Sequence, residues 1–175
     1  MIIATSLGTL LSGLTVSVVN EGTEVPKQPV YYHYGDQSEL LTWIKERGNL
    51  GKYPLVWYVL DEFTEKHGYY TNESARIIIM QLTKGDPLNT WRQTNSYTGI
   101  INPVTRAVKN ILTTSMPVTI LTNNKPHKFR EYDKPKYSVM SSVADLPKNG
   151  KAVSSDIVDA RVLNFGIRVK ANCII

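Results

Sequence analysis

Residues 54–60, read as Pro-Leu-Val-Trp-Tyr-Val-Leu, are apolar throughout. The run is too short for an ordinary buried helix and suits a strand covered on both faces. Such a strand needs a neighbour and packed layers above and below, so it commits the chain to a sheet with other elements laid against it. Its flanks agree. Residues 74–82, SARIIIMQL, form a β-branched run that reads as its antiparallel neighbour. Upstream, residues 30–34 (VYYHY) read as another strand, broken by Gly35.

Asp36 then opens a helix. Its carboxylate can cap the free backbone amides, and Glu39 three residues later can reach back, the capping-box arrangement. Leu40, Trp43 and Ile44 make the apolar stripe, Lys45 and Arg47 suit the last turn, and Gly48 is placed to end the helix.

The other elements follow from period and punctuation. Ile3, Leu7, Leu10 and Leu11 share a helical stripe over residues 2–11, with Gly13 as the stop. Residues 15–19 read as a strand closed by the turn-like Asn20-Glu21-Gly22, and Pro26 and Pro29 bracket an expected connector. Residues 61–72 are polar, with Gly68 and paired tyrosines, and suit a long hairpin connection. Trp91, Ile100, Ile101, Val104, Ala107, Val108, Ile111 and Leu112 fit a long helix with a kink or fresh start at Pro103. Prolines at 117, 126, 135 and 147 exclude long regular elements, so residues 117–156 are expected as an irregular arm or loop, with short strands at 118–121 and 137–140. Residues 157–169 close the sheet, with Leu163, Phe165, Ile167 and Val169 on one face.

At 175 residues the chain is expected to form a single domain with a core that needs no staples. The one cysteine, Cys173, excludes an internal disulfide and a zinc site of several thiolates. The first 19 residues lack a basic leader segment, and Ser, Thr and Gly interrupt them too often for a membrane span. A soluble, untargeted protein without membrane contact is expected.

The residues capable of chemistry do not assemble into a site. His33 reads as a hydrogen-bonded sheet histidine within the aromatic strand, and His127 has no evident partner. His67 lies near Asp61, Glu62 and Glu65, but a hard cation needs oxygens held at fixed positions and this segment reads as a solvated hairpin tip. Asp61 and Glu62 adjoin a buried strand, where nuclease carboxylates occur, yet no matching acidic pair and lysine accompany them. Cys173 has no activating base, and no phosphate-binding glycine loop is present. No cofactor, metal or catalytic residue is expected.

The remaining candidates are contact residues. Tyr31, Tyr32, Tyr34, Tyr53, Tyr58, Tyr69 and Tyr70 concentrate aromatic surface without interleaved arginines in the strand, which favours interface or core packing over base stacking. The net charge of +5 is scattered except around residues 125–136, a proline-containing stretch that also holds Glu131 and Asp133. That mixture reads as solvated loop or partner contact. Tyr31, Tyr32, Tyr34, Phe63, Tyr69, Tyr70, Lys125, Lys128, Arg130 and Tyr132 are the resulting interface candidates.

Taken in order, the N-terminal helix and strand, YYHYGDQSELLTWI, YPLVWYVLDEFTE, SARIIIMQL, INPVTRAVKNIL and SDIVDARVLNFGIRVK resemble a family of bacteriophage tail-terminator-like or neck (head–tail connector) ring proteins. The family is known from tailed phages, including those infecting Bacteroidetes. The resemblance implies an α+β fold, a small mostly antiparallel sheet with helices packed on one face. It also implies a structural virion protein without catalytic residues, made in the bacterial host cytoplasm. Copies would form a cyclic hexamer or dodecamer at the phage neck or tail end, between portal, neck or tail proteins, with genomic DNA passing through the lumen without sequence specificity. The 117–156 segment has no counterpart in the resemblance and would serve as an arm toward a neighbouring subunit or ring. The rival reading is a basic nucleic-acid-binding phage accessory protein.

Overall fold

The computed structural model describes residues 2–47, 51–83, 88–122, 128–138 and 157–170. Two long antiparallel strands form its spine, β6 (Tyr69–Leu82) and β9 (Ile157–Lys170), paired from Tyr69↔Lys170 to Leu82↔Val158. On the β6 side lie β5 (Thr64–Lys66) and β4 (Leu55–Val59), and β4 is flanked in turn by β3 (Tyr31–Gly35). On the β9 side lie β7 (Val118–Leu121) and β8 (Arg130–Ser138). Among the described residues every pairing in this sheet is antiparallel except β3 with β4. A parallel pair needs a crossover between its strands, and α2 (Gln37–Arg47) supplies it.

The mixed α+β class and the mostly antiparallel sheet are as expected. Period-two alternation along the central strands divides the core between two faces. Val56, Tyr58, Ile77, Ile79, Leu163, Phe165 and Ile167 point one way. They pack against α1 (Ile2–Leu11) and a continuous helical segment made of α3 (Asn89–Trp91), a π-helical stretch (Arg92–Ile101) and α4 (Asn102–Thr114). Leu55, Trp57, Ile78, Met80, Val158, Ala160 and Val162 point the other way and cluster with Leu40 and Ile44 of α2. Most of the helical mass is therefore on one face, as expected, with α2 added on the opposite face by the crossover.

Local chemistry sets the helix boundaries. The amide of Glu39 donates to Asp36 Oδ1 at 2.8 Å and the amide of Asp36 donates to Glu39 Oε2 at 2.7 Å, the reciprocal capping box. Gly48 and its proposed stop lie outside the described residues. Pro103 causes no break. The wider π-helical turns run up to it, with the Asn102 amide donating to the carbonyl of Tyr97, and Pro103 falls in the first turn of α4, where a missing N–H costs little. Gly99 in this stretch meets the hairpin of β1 (Thr15–Asn20): a Cβ there would stand 2.2 Å from the Val19 carbonyl oxygen.

Two segments read as irregular are strands. The expected connector around Pro26 is β2 (Thr23–Pro29), paired with β1 through a two-residue turn in which Glu21 and Gly22 have φ of 48° and 79°. Pro26 is accommodated because the register shifts between Val16 and Val18, leaving it out of the ladder. Within the expected 117–156 arm, β7 is the short strand expected over 118–121, whereas the nine-residue β8 starts well before the short strand expected at 137–140 and overlaps it at Tyr137 and Ser138; both pair with β9. Pro135 falls in the register shift between Lys134 and Tyr137, where no ladder donor is needed. Residues 123–127 and 139–156 of that arm lie outside the described residues. Among the described residues, no helix is long and apolar enough to cross a membrane.

Candidate interaction surfaces

The candidate tyrosines of β3 are engaged inside the chain. Tyr32 donates its hydroxyl to the Ala4 carbonyl at 2.8 Å and packs with Tyr34 against the larger core, fastening α1 to the sheet edge. Burial, then the neighbouring Tyr58 and Tyr34, push the Tyr32 phenol well above its ordinary value. Tyr31 packs on the α2 side, with the Arg47 guanidinium 5.8 Å from its ring centroid. All three are half-buried and belong to the seating of α1 and α2 more than to an outward surface. His33 sits in an aromatic cluster, its ring 5.4 Å from Trp43 and 5.3 Å from Trp57. Burial lowers its pKa, Arg47 lowers it further and Glu39 opposes them.

Phe63 and Tyr70 come together on the β5–β6 hairpin, whereas Tyr69, the next residue along the strand, points to the opposite face of the sheet. The long hairpin connection expected over residues 61–72 is itself largely β5 and the start of β6, joined by a turn in which His67 and Gly68 have φ of 51° and 75°. That left-handed pair closes a two-residue turn and starts β6 at Tyr69. Phe63 and Tyr70 meet edge to face at 5.7 Å, while Arg168 of β9 lies 5.7 Å from the Tyr69 ring and donates Nε to Thr71 Oγ1 at 3.4 Å. Phe63 remains 45% exposed and Tyr69 40%. His67 is taken up by the turn, and among the described residues no three His, Cys, Asp or Glu side chains converge on a metal position.

Between β4 and β5 the chain leaves β6, and β6 bulges against β9 from Asn72 to Ala75. Asn72 holds the bulge by accepting from the Ser74 amide at 2.8 Å and donating to the Tyr58 hydroxyl at 3.4 Å. An open concavity of about 800 Å³ results, lined by Asp61, Glu62 and Phe63 at one end and by Arg76 and Asn164, a cross-strand pair, at the other. On the β9 side a hollow of about 200 Å³ opens where β8 gives way to β7. It shares Glu73, Ser74 and Asn164 with the first and is rimmed by Lys128 and Arg130.

Cross-strand pairing sorts the charges of β8, which the sequence presents as a mixture. Glu131 stands opposite Leu163 and faces the α4 side, where Lys109 forms an ion pair with it. Asp133 receives both Nε and Nη2 of Arg161, at 2.6 and 3.0 Å. Arg130, Tyr132 and Lys134 stand opposite Asn164, Val162 and Ala160 and face the other side, with Tyr132 41% exposed. The acids thus form ion pairs on one face, and Arg130, Tyr132 and Lys134 lie on the other. Lys125, His127 and Cys173 lie outside the described residues.

Sequence reasoning missed the buried polar core. Arg92, at the start of the π-helical stretch, forms an ion pair with Asp159 of β9. Tyr97 donates its hydroxyl to the Ala160 carbonyl at 3.4 Å, and burial, with Asp159 next, raises its pKa. Arg161 also donates Nη1 to Asn102 Oδ1 at 2.6 Å, tying β8, β9 and the helix together. The available signal was an acid at residue 159, in register with the inward-facing Leu163 and Phe165. Comparison of the chain with protein-family models, curated proteins and solved structures finds no match.

Proposed function

We propose that the chain is a structural protein of a tailed phage, repeated as a ring at the neck or tail end of the virion. The observation that supports this reading is a pair of unlike exposed patches flanking the β6–β9 spine. On one side Leu60, Phe63 and Tyr69 are exposed apolar groups, and β5 pairs with β6 alone among the described residues. On the other Tyr132 is exposed beside Lys128 and Arg130, and β8 pairs with β9 alone among the described residues. Two different faces per copy are what a cyclic, head-to-tail assembly requires. The resemblance of the ordered sequence blocks to neck and tail-terminator proteins supplies the setting, with portal, neck or tail proteins as axial partners and DNA in the lumen. Cryo-microscopy and mass spectrometry of purified particles test it: a ring of this chain at the head–tail junction or tail end is expected, and its absence from the particle would refute the reading.

The sorted basic face of β8 favours one second reading, a nucleic-acid-binding accessory protein. It requires DNA affinity that falls steeply as salt rises.

A further inference from the structure

We propose that the acidic corner after β4 docks, head to tail, against the basic edge at β8 on a second copy of this chain. This rests on the ring reading above and specifies its contact. The corner carries Asp61 and Glu62 between the exposed Leu60 and Phe63. The β8 edge carries Lys128 and Arg130 beside the exposed Tyr132. All four charged side chains are exposed, and none forms an ion pair among the described residues. Their neighbours Glu131 and Asp133 are, by contrast, consumed by Lys109 and Arg161. The edge therefore presents net positive charge even though its sequence alternates in sign.

The two patches flank the β6–β9 spine, and the hollows beside them share Glu73, Ser74 and Asn164. The acidic corner belongs to the β6 side of the spine and the basic edge to the β9 side. Like patches repel, so a two-fold contact of corner on corner or edge on edge is disfavoured, whereas corner on edge pairs opposite charges around apolar contacts. Each copy so docked keeps one corner or one edge free for the next. Such a contact propagates, and closes into a ring when the rotation allows. The outer edges of β5 and β8, unpaired among the described residues, lie beside the two patches and add backbone groups able to extend the sheet between copies.

The test is sedimentation velocity at low salt on the full chain and two exposed-surface variants, Asp61→Lys/Glu62→Lys and Lys128→Glu/Arg130→Glu, with circular dichroism as the folding control. Each variant is expected to weaken self-association about tenfold or more, since reversal places like charges in contact. An equimolar mixture of the two should recover association, because every corner then faces an edge of opposite sign. The chain carrying all four changes should recover it as well. Wild-type assembly left intact by both variants would overturn this contact and leave the ring reading standing. A wild-type chain that remains monomeric would overturn both. Loss of DNA binding in Lys128→Glu/Arg130→Glu, with self-association unchanged, would assign the basic edge to nucleic acid and overturn the contact.

Discussion

Arg92 and Asp159, 67 residues apart in sequence, form an ion pair with side chains 2% and 0% exposed. It joins the first turn of the long helical segment to the central strand β9, so the pair locks the largest helix onto the sheet. Removing one partner strands a charge in the core. Asp159→Ala should lower stability by about 3–5 kcal/mol in urea unfolding followed by tryptophan fluorescence. Arg92 Nε and Nη2 have no hydrogen-bond partner among the described residues. The double change Arg92→Met/Asp159→Leu should recover most of that loss. A double variant as unstable as the sum of its singles would contradict this account.

The α2 cap is local and separable. Asp36→Ala removes the acceptor for the Glu39 amide and should cost about 1 kcal/mol. Asp36→Ser, which keeps an acceptor, should retain most of the stability. Equal losses in both would mean that the cap contributes nothing.

Gly99 is required by the close approach of the helix to β1. An alanine Cβ would meet the Val19 carbonyl oxygen at 2.2 Å and the Thr94 oxygen at 3.2 Å, both backbone atoms that cannot rotate away. Gly99→Ala should destabilise by about 1–3 kcal/mol, although alanine is the better helix former. A neutral or stabilising outcome in thermal melts would show that the two elements are free to separate.

His33 gives stability a sign-defined pH dependence. Burial first and Arg47 next lower its pKa in the fold below the ordinary 6.5, so the folded state binds its proton less readily than the unfolded chain. This contribution is fully present above pH 6.5 and is lost as pH falls from there through the lowered folded value. His33→Gln should flatten the decline in denaturant midpoint over that window. An unchanged slope would remove His33 as its source.

The sequence revealed elements whose signals are local and left hidden those that depend on pairing. The Asp36–Glu39 cap and the α2 stripe are legible because their partners are within a turn, and β4 and β9 because burial imposes an unbroken run or a period of two. β2 and β8 were obscured by Pro26 and Pro135. A proline ordinarily argues against a ladder, and only the register shifts of the assembled pairs show where these two are tolerated. The β3 tyrosines were visible as aromatic surface, but their use in holding α1 and α2 is set by distant contacts such as Tyr32 with Ala4. The sorting of β8 charges was illegible for the same reason. Glu131 and Asp133 are removed from the surface balance by Lys109 and Arg161, residues from other elements.

We propose that copies of this chain assemble with one another in a closed ring. Size-exclusion chromatography with light scattering, across a concentration series at low salt, measures it most directly. A discrete species at a fixed multiple of the 19.7 kDa chain mass is expected, with the hexamer and dodecamer as the closed forms. A single 19.7 kDa monomer throughout the series would contradict it.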